Sequence, residues 1–284
     1  MSVCRGHSAI SASILALSAI FGWLIPSLAA QKPAFSVGAL APFAVGERLI
    51  YRVEWNPPWY LFFLPRMEAG ELELSIPEEM PYNDRKALKI VFKARSSGTL
   101  ASLAGVKVED DAEFITDSET LCTYAVTKRI REGKRKRDIR VSYLPAERRL
   151  HIYELDVAVN PPKLKRNEYR NDIPECVRDP FSALYMTRRR ELRAGDIHRS
   201  IVGDNDRVKE IETRIEKKET VETPAGRFES WRINTVSLIG GLFREGGTFR
   251  IWITADEKKM PVQFEAKVSL GTVFGKLKSR QPSQ

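Results

Sequence analysis

Three carboxylates, Asp110, Asp111 and Glu113, crowd the stretch "VKVEDDAEF", and a pair of carboxylates at fixed separation is what hydrolysis of a glycosidic bond requires. The alternation of the same stretch supports a plainer reading. Glu109, Asp111 and Glu113 fall on one face of a strand, opposite Val108, Ala112 and Phe114, which is the pattern of an ordinary solvated strand. Asp179, with Ser182 and Tyr185 after it in "DPFSALY", is explained by helix capping, and Asp256 by the turn before "KKMPVQF". A Gly-x-Ser-x-Gly elbow, a glycine-rich phosphate loop and a His-Glu-x-x-His pair are all absent from the sequence. The residues therefore predict no catalytic and no cofactor-binding group, and a hydrolase is the weakest of three functional readings.

The N-terminus states a destination. "MSVCRGHSAISASILALSAIFGWLIPSLAAQ" has one cation, Arg5, then a long apolar stretch, then the small residues Ser27, Ala29 and Ala30. This is the layout of a secretory signal, with cleavage expected after Ala29 or Ala30 and an exported, periplasmic or secreted protein as the consequence. The alternative is an uncleaved anchor, because residues 9–30 carry no charge and are long enough to span a bilayer. Cys4 precedes the apolar stretch, so it is not placed as a lipid-modified cysteine. Loss of residues 1–30 would leave 45 Lys and Arg against 37 Asp and Glu, a net charge of +8. It would also leave two cysteines, Cys122 and Cys176, which in an oxidising compartment either pair or remain as buried thiols. With His151 and His198 the remaining histidines and no Cys-x-x-Cys, the residues argue against a zinc site.

Two further stretches could make contacts. "NPPWYLFFLPRM" places six apolar or aromatic residues, Trp59 to Leu64, between Pro58 and Pro65. Too short to span a membrane as a helix, it is read first as core that folds back to seal one end of the fold. The other reading leaves Trp55, Trp59, Tyr60, Phe62 and Phe63, with Arg66 beside them, as a surface for an apolar ligand or for peripheral contact with a lipid layer. "KRIREGKRKRDIR" packs eight cations and two acids into residues 128–140 around Gly133. Lys128, Arg129, Arg131, Lys134, Arg135, Lys136 and Arg137 could meet anionic lipid headgroups or an acidic envelope polymer. Nucleic acid is disfavoured, because an exported protein rarely meets it and no aromatics interleave with the cations to stack on bases. The preferred account of this stretch is an edge hairpin whose charges block strand addition.

The elements that must position these residues are strands. "ERLIYRVEW", "ELELSI", "KALKIVFKA", "KRDIRVSY", "FESWRINTVSL", "TFRIWIT" and "MPVQFEAKVSL" alternate with period two, separated by turn residues such as Glu132–Gly133–Lys134, Gly246–Gly247 and Ala255–Asp256–Glu257. About a dozen strands joined by short turns must be antiparallel neighbours, and so many strands must roll into a barrel or a strongly curved sheet. "DRVKEIETRIEKKETVE" fits both helix and strand, and the following "TPAG" turn favours strand. One helix is expected near 179–190, with Asp179 as its cap and Pro180 at its first position. No composition break divides residues 31–284, so one all-β domain is expected.

Four of these stretches in order resemble an exported bacterial family catalogued as domain of unknown function 3108. They are "PFAVGERLIYRVEW" with "AGELELSI", then "DPFSALYMTRRRELRAGD", "ETVETPAGRFESWRI" and "IWITADEKKMPVQFEAKVSLGTVFGKL", together covering about residues 42–278. The resemblance implies a secreted or periplasmic β-rich domain of unassigned activity and supplies no site residues. "NPPWYLFFLPR" departs from the pattern by lengthening the first link. The expected function is a non-catalytic envelope protein that binds an apolar or amphipathic, lipid-like ligand. The second reading is an envelope interaction or assembly module that uses the basic hairpin.

Overall fold

The computed structural model describes residues 42–98, 107–236, 248–268 and 271–281. The expected signal at 1–30 and the turn at Gly246–Gly247 lie outside them. Fourteen strands form one sheet: β1 (Arg48–Asn56), β2 (Met67–Tyr82), β3 (Arg85–Ser96), β4 (Glu109–Asp117), β5 (Thr123–Glu132), β6 (Arg135–Leu144), β7 (Arg149–Asp156), β8 (Lys163–Arg170), β9 (Ile197–Asp204), β10 (Arg207–Thr223), β11 (Gly226–Val236), β12 (Thr248–Thr254), β13 (Pro261–Lys267) and β14 (Thr272–Gln281). Among the described residues one α-helix is complete, α1 (Pro180–Arg189). The segment that fits both periods is strand β10, which a register shift between Ile215 and Lys217 interrupts.

Every strand pairs antiparallel with its sequence neighbour, except that β1 pairs with β14, and β8 and β9 are left as the two terminal strands. The sheet is therefore strongly curved but not closed by strand pairing. In such a meander the links alternate between two ends. The chain enters β1, and β2–β3, β4–β5, β6–β7, β10–β11 and β12–β13 are joined, at one end. At the other end β1, β3, β5, β7, β9, β11 and β13 finish and β2, β4, β6, β8, β10, β12 and β14 begin.

Helix α1 occupies the space that the sheet curls around. Asp179 caps it, accepting hydrogen bonds from the N–H groups of Phe181 (2.8 Å) and Ser182 (3.0 Å), and Pro180 needs no partner at the first position. Phe181 packs on Phe92 of β3 and Phe114 of β4, with ring centroids 5.0 and 5.1 Å apart. Leu184 packs against the main core and also against the cluster of Leu192, Ile215, Ile233 and Ile253, and Ala183 against Val202 and Ile211. A helix touched by both arms of the sheet is buried on several sides, and its buried residues include Ser182, Tyr185, Met186, Thr187 and Arg188.

The β8–β9 seam is tied without strand pairing. The segment before α1 lies along β9, with Arg178 N–H donating to Ile201 O (3.0 Å) and Gly203 N–H donating to Arg178 O (2.8 Å). Gly203 is needed there because a Cβ would sit 2.4 Å from the Tyr143 hydroxyl oxygen. Arg166 of β8 reaches Asp206 at 2.9 Å, Arg170 reaches it at 3.3 Å, and Lys128 of β5 is ion-paired with Asp204 of β9. Charged side chains along β8, an exposed edge, also oppose addition of a foreign strand.

Candidate functional site

The stretch Trp59 to Phe63 is not core. Pro57 and Pro58 end β1 and Pro65 precedes β2, because proline cannot donate to the ladder. Between them Trp59–Leu61 form one 3-10 turn, closed by Leu61 N–H to Pro58 O (2.9 Å) and continued by Leu64 N–H to Leu61 O (2.9 Å). Three residues per turn spread the side chains around the axis, so no single face can fold back onto the sheet. Trp59, Tyr60, Phe62 and Phe63 are 86%, 53%, 86% and 67% exposed. Their rings meet only edge-on in sequence pairs, Trp59 with Tyr60 at 5.9 Å and Phe62 with Phe63 at 6.1 Å.

Trp55 does not join them. It lies in β1 and is buried, beside Gly271, where an added Cβ would stand 2.9 Å from the indole nitrogen and 2.2 Å from Asn56 O. Arg66 is tethered at the base of the aromatic knuckle, its guanidinium 4.7 Å from the Phe274 ring centroid and 3.4 Å from the Glu54 carboxylate.

The basic stretch forms the β5–β6 hairpin, which stands inside the sheet between β4 and β7, so the expectation of an edge hairpin is wrong. Acids of the hairpin itself, of β7 and of β9 neutralise much of it. Lys128 pairs with Asp204, Arg131 with Asp138 (2.7 Å), Arg135 with Glu132 (2.6 Å), and Arg137 with Glu154 (3.4 Å) and Asp156. Arg129 stands opposite Asp111 and Asp138 in the ladder. Lys134 and Lys136 are exposed at the tip with no ion-pair partner among the described residues.

The carboxylates are also committed. Glu109 pairs with Lys107 (2.7 Å), Asp111 with Arg95, and Glu113 with Lys89 (3.3 Å). Asp110 points the other way. Burial pushes its carboxyl up, against the hydrogen bond it accepts from Arg131 N–H (2.7 Å). Asp179 and Ser182 are buried against each other and Thr123, where burial raises the Asp179 carboxyl despite those hydrogen bonds. They hold the helix start and meet no solvent. Asp256 accepts from the Thr254 hydroxyl inside its turn. Among the described residues no three His, Cys, Asp or Glu side chains gather as metal ligands. Cys122 and Cys176 form a disulfide that joins the β4–β5 turn to the segment before α1.

Sequence reasoning did not single out Arg188, which stands in the run "TRRREL". It is wholly buried, with its guanidinium on the Glu47 carboxylate (2.6 and 2.7 Å), Pro42 O (2.9 Å) and Lys258 O (3.2 Å). Tyr185 donates to the same carboxylate at 3.0 Å. Burial alone would lower the Arg188 pKa; Glu47 more than offsets it and the group stays charged. The available signal was spacing, since Arg188 follows Tyr185 by three and Phe181 by seven, on one helical face.

No curated protein matches the chain. Among solved structures, it is similar to a beta-barrel-like protein of Brucella abortus that is itself a domain of unknown function, DUF1849. That pair has a TM-score of 0.56 at 9% identity, over 85% of this chain and 99% of the other. A putative exported protein with YmcC-like fold from Bacteroides fragilis aligns at a TM-score of 0.33 and 10% identity, over 84% and 97%. A putative lipoprotein from Parabacteroides distasonis also gives 0.33, at 10% identity over 86% and 99%. The family model described as protein of unknown function (DUF3108) matches residues 50–278, most of the chain, and the protein belongs to that family.

Proposed function

We propose that this protein is a non-catalytic, exported cell-envelope protein that uses the β1–β2 knuckle to contact a lipid-like apolar surface. The N-terminal signal layout supports export, and the Cys122–Cys176 bond suits an oxidising compartment. The observation that carries the contact is the exposure of four neighbouring aromatic rings held on a short, proline-bracketed turn. Leaving them in water has a free-energy cost, and contiguous exposed apolar patches mark contact sites. Tryptophan and tyrosine, amphipathic and low in rotamer entropy, suit a water–lipid boundary. The basic-hairpin module is the less favoured reading, because Lys128, Arg131, Arg135 and Arg137 are already neutralised within the sheet.

Changing Trp59, Phe62 and Phe63 together to Ser should abolish co-sedimentation with lipid vesicles while leaving thermal melting unchanged. Undiminished sedimentation of the folded variant removes the reading.

A further inference from the structure

Eight large apolar side chains stand exposed among the described residues, and six of them are at the knuckle's end of the sheet: Trp59, Tyr60, Phe62, Phe63, Val159 and Leu164. The last two come from the β7–β8 link and its exit into β8, and each is 50% exposed. In the strand order β1 and β8 are seven strands apart, about 34 Å along the sheet at roughly 4.8 Å per strand. The aromatic knuckle and the Val159–Leu164 link are thus two separate apolar points on one rim.

Among the described residues, charge at this rim is not balanced. The exposed lysines Lys134 and Lys136 at the β5–β6 tip, Lys163 at the start of β8 and Lys267 at the end of β13 have no ion-pair partner among the described residues. The acids nearby are matched: Glu109 by Lys107, Glu132 by Arg135, Asp156 by Arg137, and Asp206 by Arg166 and Arg170. Glu68 is the exposed exception. A rim with apolar points and surplus lysines, Lys134 and Lys136 between the points and Lys163 and Lys267 beside them, is complementary to a flat surface that is apolar inside and anionic outside.

From this we infer that the protein docks end-on against an anionic lipid bilayer, with the knuckle as one foot, the Val159–Leu164 link as a second, and Lys134, Lys136, Lys163 and Lys267 on the headgroups. The inference rests on the lipid-contact reading above and adds the partner's charge, the second foot and the orientation. Two feet fix the tilt of the sheet, which a single knuckle would leave free. Helix α1 and the buried Arg188 then face away from the bilayer.

The test uses the exported protein and vesicles of phosphatidylcholine with and without phosphatidylglycerol, with melting temperature recorded for every variant. Wild type should bind the anionic vesicles preferentially, and added salt should weaken that binding. Val159→Ser with Leu164→Ser should weaken it roughly tenfold or more, the order expected when two half-exposed aliphatic side chains lose their burial. Lys134→Glu with Lys136→Glu, at a solvated tip, should weaken it by about tenfold or more at low salt, each lysine near an anionic surface being worth several-fold. Full binding by the Val159/Leu164 variant, with loss only in the Trp59/Phe62/Phe63 variant, overturns the second foot and leaves the knuckle reading standing. Equal binding to both vesicle types, or indifference to lysine reversal, overturns the anionic partner. Full binding by all variants removes both readings.

Discussion

At the end of the sheet where α1 is seated, buried carboxylates and their partners are paired, although the Tyr143 hydroxyl and Arg188 Nε find no hydrogen-bond partner. Arg188 lies against Glu47, Tyr185 donates to the same carboxylate, and Asp179 caps the helix while accepting from Thr123. Asp117 collects the N–H groups of Glu119 (3.0 Å) and Thr120 (2.7 Å) and the hydroxyl of Tyr124 (2.6 Å), and the disulfide closes the corner. The opposite end carries a 3-10 turn with no buried residue and four aromatic rings in water. Stability is concentrated where the polar groups are paired and desolvated; capacity for contact is concentrated where apolar groups are left unpaired. The two demands conflict, since a side chain that is satisfied inside the fold has nothing left to offer a partner. The curved sheet separates them by the length of its strands.

Perturbing one end at a time tests whether the two ends differ in this way. Arg188→Ala should have the largest effect, a loss of about 3–5 kcal/mol in urea unfolding, because it strands the buried Glu47 carboxylate. Replacing both partners, Arg188→Met with Glu47→Leu, should recover much of that loss. A double variant as unstable as the single one would place the cost in packing rather than in the orphaned charge. Reduction of the Cys122–Cys176 bond, which spans 54 residues, should cost about 4 kcal/mol in the loop-entropy model. An unfolding midpoint that ignores reductant would show that the corner holds itself.

Asp117 predicts a pH dependence. Burial pushes its carboxyl up, but the hydrogen bonds from Thr120, Tyr124 and Glu119 outweigh this and bring it down to about 2 from an ordinary 3.8. A carboxyl whose folded value is depressed adds stability above the unfolded value and loses it as the pH falls through the folded one. About 2 kcal/mol should therefore be present above pH ~4 and gone near pH ~2. Asp117→Asn should be less stable than wild type at neutral pH, with the gap closing on acidification; a constant gap would deny the linkage. At the other end, the Trp59, Phe62 and Phe63 triple change should move stability by less than about 0.5 kcal/mol, the range of ordinary surface substitutions. A large loss there would mean that the knuckle supports the fold and the contrast fails.

Much of the architecture was legible in the residues. Period-two alternation located the strands, "TPAG" turned β10 into β11, and Asp179–Pro180 started the helix where it stands. What misled was local resemblance to a familiar environment. Six apolar residues in a row look like core, yet prolines on both sides exclude them from the ladder and the 3-10 turn gives them no common face. Three arginines in a row look like surface, yet Arg188 points inward. A dense run of cations looks like an edge, yet β5 and β6 are flanked on both sides and their charges face acids on other strands.

The all-β class, the antiparallel order of neighbours, the helix and its cap, and the family follow from backbone periodicity and from residues within a few positions of one another. Tertiary structure alone decided that β1 pairs with β14, that Cys122 meets Cys176, that Glu47 receives Arg188, and that the aromatic knuckle, the basic tip and the Val159–Leu164 link share one rim. Each of these joins residues far apart in the chain. Burial is a property of the space between elements, and no local pattern of side chains specifies what will stand on the other side of that space.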